Sequence, residues 1–401
     1  MKAKQLKPQL RFPEFEGEWE EKRLGQVTKY TKGYAFKSKD YKIEGKRIIR
    51  VSDLGANYIK QDNEKVYIDF SEEVKYEKYS LKKNNIIITT VGSKPDMLES
   101  AVGRGIFIIN DDEGLLNQNM LKFENIDKIS NKFLIGFINS DRYQYFIKGI
   151  ARGNANQSNI TVVDLLTYKI NLPTLPEQQK IASFLTAVDT KLQQLSTKKE
   201  LLEQYKKGVM QQLFSQQLRF KQDDGSDFGD WEEKKLGEMF KINAGGDVKQ
   251  ENVSLEKNDK FKYPIYANSE KNKGLYGYSD LYKIDFECVT VTGRGALGVA
   301  HARTEKFYPI VRLLVLKPKK KSNVVFFENL INQINIFPES TGVPQLTGPQ
   351  ISIYKIRFPS YEEQQKIASF LSALDAKIET VQTQLEKTQQ FKKGLLQGMF
   401  V

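Results

Sequence analysis

Side chains able to make and break bonds are scarce in this sequence. It holds one histidine, His301, and one cysteine, Cys288, too few for a multi-histidine or multi-cysteine metal site. A lone cysteine cannot close an internal disulfide and fits a reducing compartment. No Gly-x4-Gly-Lys-Ser/Thr phosphate loop occurs. Gly293-Arg294-Gly295-Ala296-Leu297-Gly298 fits GxGxxG literally, yet a dinucleotide fold needs a helix next and an acid about twenty residues on. Here Val299 to Arg303 reads as strand and Val311 to Lys317 ends in lysine, so Arg294 stands in a tight glycine turn that is not a dinucleotide site. Pro95-Asp96 with Glu99 mimics half of a nuclease signature but lacks the lysine, and no Asn/Asp-Pro-Pro-aromatic tetrapeptide of an amino-methyltransferase is present. No catalytic constellation emerges.

Binding chemistry is better represented. Lys29, Tyr30, Lys32, Tyr34, Lys37, Ser38 and Lys39 interleave cations, rings and a hydroxyl; Lys271, Asn272, Lys273, Tyr276 and Tyr278 do so later. Phosphates call for cations and aligned donors, and base edges call for Arg, Asn, Gln or Ser/Thr. Sixty-two Lys+Arg against fifty Asp+Glu give a net charge of +12, which suits a polyanionic partner. The excess lies in 1–175 (29 against 23) and 218–360 (22 against 18). Composition, 39% hydrophobic and 28% charged, is ordinary globular usage and excludes disorder, collagen-like repeats and disulfide scaffolds. With no apolar leader and no run approaching a membrane span, a soluble cytoplasmic protein is expected.

The elements that would position these groups come in pairs. Glu177-Gln178-Gln179-Lys180-Ile181-Ala182-Ser183-Phe184-Leu185 recurs letter for letter 186 residues later, from Glu363 to Leu371. Upstream, Gly17 to Gly25, containing Trp19 and Leu24-Gly25, answers Gly229 to Gly237, containing Trp231 and Leu236-Gly237, at an offset of 212. Leu10-Arg11-Phe12 answers Leu218-Arg219-Phe220. The 401 residues are thus a tandem duplication, and two copies are too few for a solenoid.

Each repeated helix carries apolar residues at 4-3 spacing: Ile181, Leu185, Val188, Leu192 and Leu195, then Ile367, Leu371, Leu374, Ile378, Val381 and Leu385. That spacing is a coiled-coil seam; the competing reading is a helix lying on its own domain. Chain direction makes the pairing antiparallel, and forty residues span roughly 60 Å at about 1.5 Å each. Between the helices, strands are expected at Arg47 to Val51, Asn85 to Val91, Gly105 to Ile109 and Met120 to Phe123, with a helix from Asn131 to Ile150. In the second half they fall at Cys288 to Thr292, Leu297 to His301 and Val311 to Lys317, with a helix near Val324 to Ile334. The expected fold is α+β: two mixed α/β domains joined by a long antiparallel two-helix coiled coil, with pseudo-two-fold symmetry. Its segments are 1–175, 176–217, 218–360 and 361–401.

Two variable domains, each introduced by a Trp/Leu-Gly segment and closed by a Pro-x-x-x-Gln-Gln-Lys-Ile-Ala helix, resemble the specificity subunit of a type I restriction–modification enzyme over essentially the whole chain. The resemblance implies two target recognition domains, each reading half of a bipartite, asymmetric double-stranded DNA site. It also implies helices that set the gap and dock two methyltransferase subunits, through which restriction subunits attach. S-adenosylmethionine, ATP and magnesium would belong to those partners, and this chain would be a non-catalytic subunit. DNA contacts are then expected from Lys32, Tyr34, Lys37, Ser93, Lys94, Arg104, Asn154, Asn156 and Gln157 in the first domain. In the second they are expected from Asn268, Lys271, Tyr276, Arg294, Arg303, Gln345 and Thr347. Rival readings are a stand-alone two-module nucleic-acid-binding regulator, an enzyme with an unrecognised site, and a coiled-coil scaffold.

Overall fold

Segments far apart in the sequence meet within each unit, and they meet in the same way in both. The computed structural model describes residues 7–55, 58–95, 101–124, 129–153, 157–336 and 344–400. Two units are distinguished: Met1–Ser196 with Thr383–Val401, and Thr197–Gln382. In the first, strand Glu20–Arg23 pairs antiparallel with Lys169–Leu172, the strand that leads into the first long helix. In the second, Glu232–Lys235 pairs in the same way with Lys355–Phe358. The backbone N–H of Leu24 donates to Tyr168 O at 2.8 Å, and that of Leu236 donates to Tyr354 O at 2.9 Å.

The sheets are equivalent as well. A four-stranded antiparallel sheet of the first unit runs Lys29–Lys32, Met120–Glu124, Ile86–Thr89, Gly105–Phe107. Its counterpart runs Phe240–Ala244, Leu314–Pro318, Cys288–Val291, Ala300–Arg303. Three-stranded sheets follow suit: Val66–Ile68, Lys46–Ile49, Leu115–Leu116 against Leu275–Ser279, Tyr263–Tyr266, Tyr308–Pro309, with the last pairing parallel in both. The β-branched and aromatic runs make these central strands, and Ile86, Ile87, Ile88, Val289 and Val291 are fully buried.

Several boundaries move from their expected places, and three of the moves have a plain local cause. The helix predicted over 131–150 is two helices, Asn131–Ile138 and Asp141–Ile150. Ser140 breaks it: its Oγ accepts from Tyr143 N at 3.3 Å as an N-cap and donates to Phe137 O at 2.6 Å. The strand expected at 297–301 starts at Ala300 because Gly298, at φ +81°, closes a turn onto Thr292 O. The strand expected at 311–317 starts at Leu314 because Val311 and Arg312 are left-handed, at φ +51° and +59°.

The repeated helices are Leu175–Phe214 and Tyr361–Met399. In the first unit Ile181, Leu185 and Val188 share a core with Leu395 and Met399 and with Trp19, Phe133 and Phe137; Lys392 Nζ meets Asp189 at 2.5 Å. In the second, Val209, Met210 and Leu213 share a core with Ile367, Leu371 and Leu374 and with Leu236, Phe326 and Phe327; Lys206 Nζ meets Asp375 at 2.6 Å. The start of one helix therefore lies beside the end of the other in each unit, which makes the pair antiparallel. Both readings of the seam hold: it faces a partner helix, and at its ends it also packs on a domain. Leu195 and Val381 are buried, and Leu192, Ile378 and Leu385 are half-buried.

Candidate nucleic-acid interface

A surface that reads another molecule needs a rigid support, and the repeated motif supplies it. Glu177 opens the first helix, where the dipole favours an acid. It accepts from Arg11 through both oxygens, Nε and Nη2 each at 2.8 Å, and from Trp19 Nε1 at 3.2 Å. Glu363 accepts from Arg219 in the same two-point manner, at 3.1 and 2.7 Å. Bonding to these glutamates pushes the Arg11 and Arg219 pKa values up. The next residue is equally occupied. Gln178 donates to Pro173 O at 3.0 Å and accepts from Ser130 N at 3.0 Å; Gln364 donates to Pro359 O at 2.9 Å and accepts from Asn323 N at 3.0 Å. The letter-for-letter repeat thus carries internal clamps that tie helix, incoming strand and sheet-covering helix together. Gly25 and Gly237 complete it: a Cβ there would stand 3.1 Å from Leu166 Cβ and 2.9 Å from Ser352 Cβ.

On this support the first unit presents one end of its four-stranded sheet. Lys32 ends a strand and leads through Gly33 to Tyr34, whose ring sits 5.0 Å from Phe36, 5.0 Å from Tyr76 and 5.3 Å from Tyr79. Tyr76 bonding raises the Tyr34 pKa. An open groove of about 630 Å³ beside these rings is lined by Lys37, Lys39, Lys42 and Lys75 and also by Asp40, Asp69 and Glu72. At the same end Thr90 N donates to Asn119 O at 2.8 Å and Ile160 N to Thr90 O at 2.9 Å. A small sheet joins Val91–Gly92 to Ser158–Asn159 and Arg152–Gly153, bringing Ser93 and the exposed Lys94 and Gln157 to one tip. Arg104, half-buried, follows the same loop, its N–H donating to Thr89 Oγ1 at 3.1 Å. Asn154 and Asn156 lie outside the described residues.

The second unit builds the corresponding end differently. Arg294 sits between Gly293 and Gly295, and Gly293 N donates to Asn268 Oδ1 at 2.7 Å. Asn268 Nδ2 donates to Val311 O, and Leu346 N donates to Gly293 O at 2.9 Å. Gln345 Oε1 lies 3.5 Å from Arg294 Nη2 and 3.4 Å from Arg312 Nη1. A left-handed φ is a true outlier for a β-branched residue and costs roughly 1–3 kcal/mol; Val311 nonetheless holds it while 45% exposed. Arg312 is the residue that sequence reasoning missed, because it was absorbed into a strand; the signal was a lone cation at the head of the apolar run Val311 to Leu316.

The placements of the other expected residues differ. Lys271 is exposed on the turn Lys271–Gly274, and Tyr276 is exposed on the strand that follows. Thr347 is half-buried and caps the helix Gly348–Ser352. Arg303 requires correction as a contact. It is 4% exposed, its guanidinium lies 3.5 Å over the Tyr266 ring, and it donates to Thr290 Oγ1 at 3.0 Å and Lys273 O at 2.6 Å. Burial lowers its pKa. Its donors brace the sheet from inside. Among the described residues no cluster of three His, Cys, Asp or Glu could hold a metal ion, and no helix is long and apolar enough to cross a membrane.

Comparison with known proteins now bears on this duplicated frame. The family described as type I restriction modification DNA specificity domain matches residues 16–204 and 229–390. The chain belongs to that family. A Mycoplasma pneumoniae protein named as a type I specificity subunit is 31% identical over 205 residues, 51% of this chain and 54% of that one. The chain thus spans about half the length of this relative. The specificity subunit of a Methanocaldococcus jannaschii type I restriction enzyme is 24% identical over 433 residues, 96% of this chain and 92% of that one. Among solved structures, the type I S subunit of M. genitalium shares the fold, with a TM-score of 0.67 at 18% identity over 98% of this chain and 99% of that one. In this chain the internal clamps fall on the repeated letters, and the sheet ends are where its two copies diverge.

Proposed function

We propose that this chain is the DNA-recognition subunit of a type I restriction–modification complex, each domain reading one half of a bipartite, asymmetric site. The observation that carries the reading is one frame, clamped by Arg11–Glu177 and by Arg219–Glu363, bearing two different sets of exposed polar side chains at equivalent sheet ends. Residues 1–175 and 218–360 are the target recognition domains, and 176–217 and 361–401 are the spacer helices that hold the half-site readers at a set separation. The exposed lysines of the first domain suit phosphates, and exposed amides and arginines suit base edges.

Partner docking rests on a second duplicated feature. Tyr205 and Phe391 occupy equivalent helix positions and are 53% and 54% exposed, large apolar groups of the kind that anchor interfaces. Two equivalent anchors fit two methyltransferase subunits, with restriction subunits attached through them. S-adenosylmethionine, ATP and magnesium are held by those partners, and this chain positions the adenine that the methyltransferase flips from the duplex.

Two experiments test the reading. Exchange of residues 24–173 for those of another such subunit should change one half of the methylated motif and leave the other intact; change in both halves refutes the modular model. Tyr205→Asp with Phe391→Asp should abolish co-purification with the methyltransferase. Full assembly of that variant, with the chain alone binding a specific site, would make it a stand-alone regulator.

A further inference from the structure

Resting on the reading above, we infer that the second domain recognises guanine, through the paired guanidinium groups of Arg294 and Arg312. Both side chains are exposed, and both approach the single acceptor Gln345 Oε1, at 3.5 and 3.4 Å. Among the described residues no carboxylate lies within ion-pair distance of either. Two cations converge on one neutral oxygen, and among the described residues neither guanidinium makes another hydrogen bond.

The backbone beneath them is fixed in advance. Arg294 is held by Gly293, where a Cβ would stand 2.8 Å from Leu346 O, and by Gly295 at φ +68°. Arg312 follows Val311 in a left-handed pair. Asn268 links the two turns, accepting from Gly293 N at 2.7 Å and donating to Val311 O. A planar guanidinium fork presents two parallel donors, which match O6 and N7 of guanine in the major groove. The equivalent turn of the first domain carries Asn117, Gln118 and Asn119, so the arginine pair belongs to the second domain alone.

The test uses the assembled complex with its methyltransferase. Mapping of methylated sites, before and after exchange of residues 218–360, assigns one half of the motif to this domain; that half should contain guanine. A half without guanine overturns the inference and leaves the bipartite reading standing. Loss of sequence-specific methylation in the unaltered complex, or exchange that moves neither half, overturns both. 7-Deazaguanine at the contacted position removes N7 but keeps O6, half of a two-point contact whose whole is worth about 5- to 140-fold, and should weaken binding by about 2- to 12-fold. In Arg312→Ala or Arg294→Ala that penalty should vanish at one guanine and persist at the other. Arg312→Lys keeps the charge and the fold but loses the fork, so it should retain salt-dependent affinity and lose discrimination. Penalties that persist at every guanine in all three variants would make these arginines phosphate contacts and refute the inference.

Discussion

The two units solve the same packing problem with one difference at the clamp. Trp19 and Trp231 stand at equivalent places, each edge-on to a phenylalanine of the covering helix: Phe133 at 5.9 Å and Phe326 at 6.0 Å. Yet Trp19 Nε1 donates to Glu177, while Trp231 Nε1 is buried without a partner among the described residues. The chain from Arg219 to Trp231 is four residues longer than from Arg11 to Trp19, and among the described residues the Glu363 carboxylate is bonded by Arg219 alone. The charge pair is therefore the invariant of the frame, and the indole bond is a local embellishment.

The largest expected effect tests that invariant. Arg11→Ala and Arg219→Ala each remove the charge partner of a glutamate whose side chain is 1% or 0% exposed. Removal of one partner of a buried pair costs about 3–5 kcal/mol, so each variant should lose about that much in a denaturant titration of the full chain. The loss should be the larger in Arg219→Ala, because in Arg11→Ala Glu177 keeps its bond from Trp19 Nε1. A loss below about 1 kcal/mol in one variant alone would mean that the two clamps are not equivalent.

The embellishment gives a smaller and opposite contrast. Trp19→Phe deletes a hydrogen bond to a charged group, worth about 1.5–3 kcal/mol. Trp231→Phe deletes an unsatisfied N–H, whose burial itself costs about 1–3 kcal/mol, and this relief offsets the packing area forfeited with the larger ring. The same unfolding measurement should therefore place the first variant about 2 kcal/mol below the parent and the second within about 1 kcal/mol of it. Equal losses would show that the indole of Trp231 has a partner.

Much of this frame was legible in the sequence, because repetition exposes it. Identical letters at fixed offsets revealed the duplication, and the 4-3 spacing of Ile367, Leu371 and Leu374 revealed the seam. What the letters concealed was direction. Glu177 and Gln178 stand in the sequence only as the first letters of the repeat, whereas they bond Arg11, Pro173 and Ser130; a hydrogen bond across 166 residues leaves no periodic trace. Arg303 looked like its neighbour Arg294, and only the fold separates the one laid over Tyr266 from the one on an exposed glycine turn. Arg312 was hidden because hydrophobic patterning cannot register a left-handed residue at the head of an apolar run.

That left-handed pair supplies the finest test of how the sheet ends differ. In the second unit Val311 is a β-branched residue at φ +51°; in the corresponding turn of the first unit Asn119 holds φ +67°. Asparagine tolerates this region and valine does not, because a branched Cβ crowds the following carbonyl. Glycine removes the crowding at either site but adds unfolded-state entropy of roughly 0.5–1 kcal/mol. Val311→Gly should thus raise stability by about 0.5–1 kcal/mol, since the exposed side chain gives up little buried area, whereas Asn119→Gly should shift it by a few tenths at most or lower it. If the strain exists to aim Arg312, the stabilised Val311→Gly subunit should also discriminate less sharply at its half-site, as a loosened turn no longer holds the guanidinium in register. Stability gained with discrimination unchanged would mean that the strain has no part in recognition.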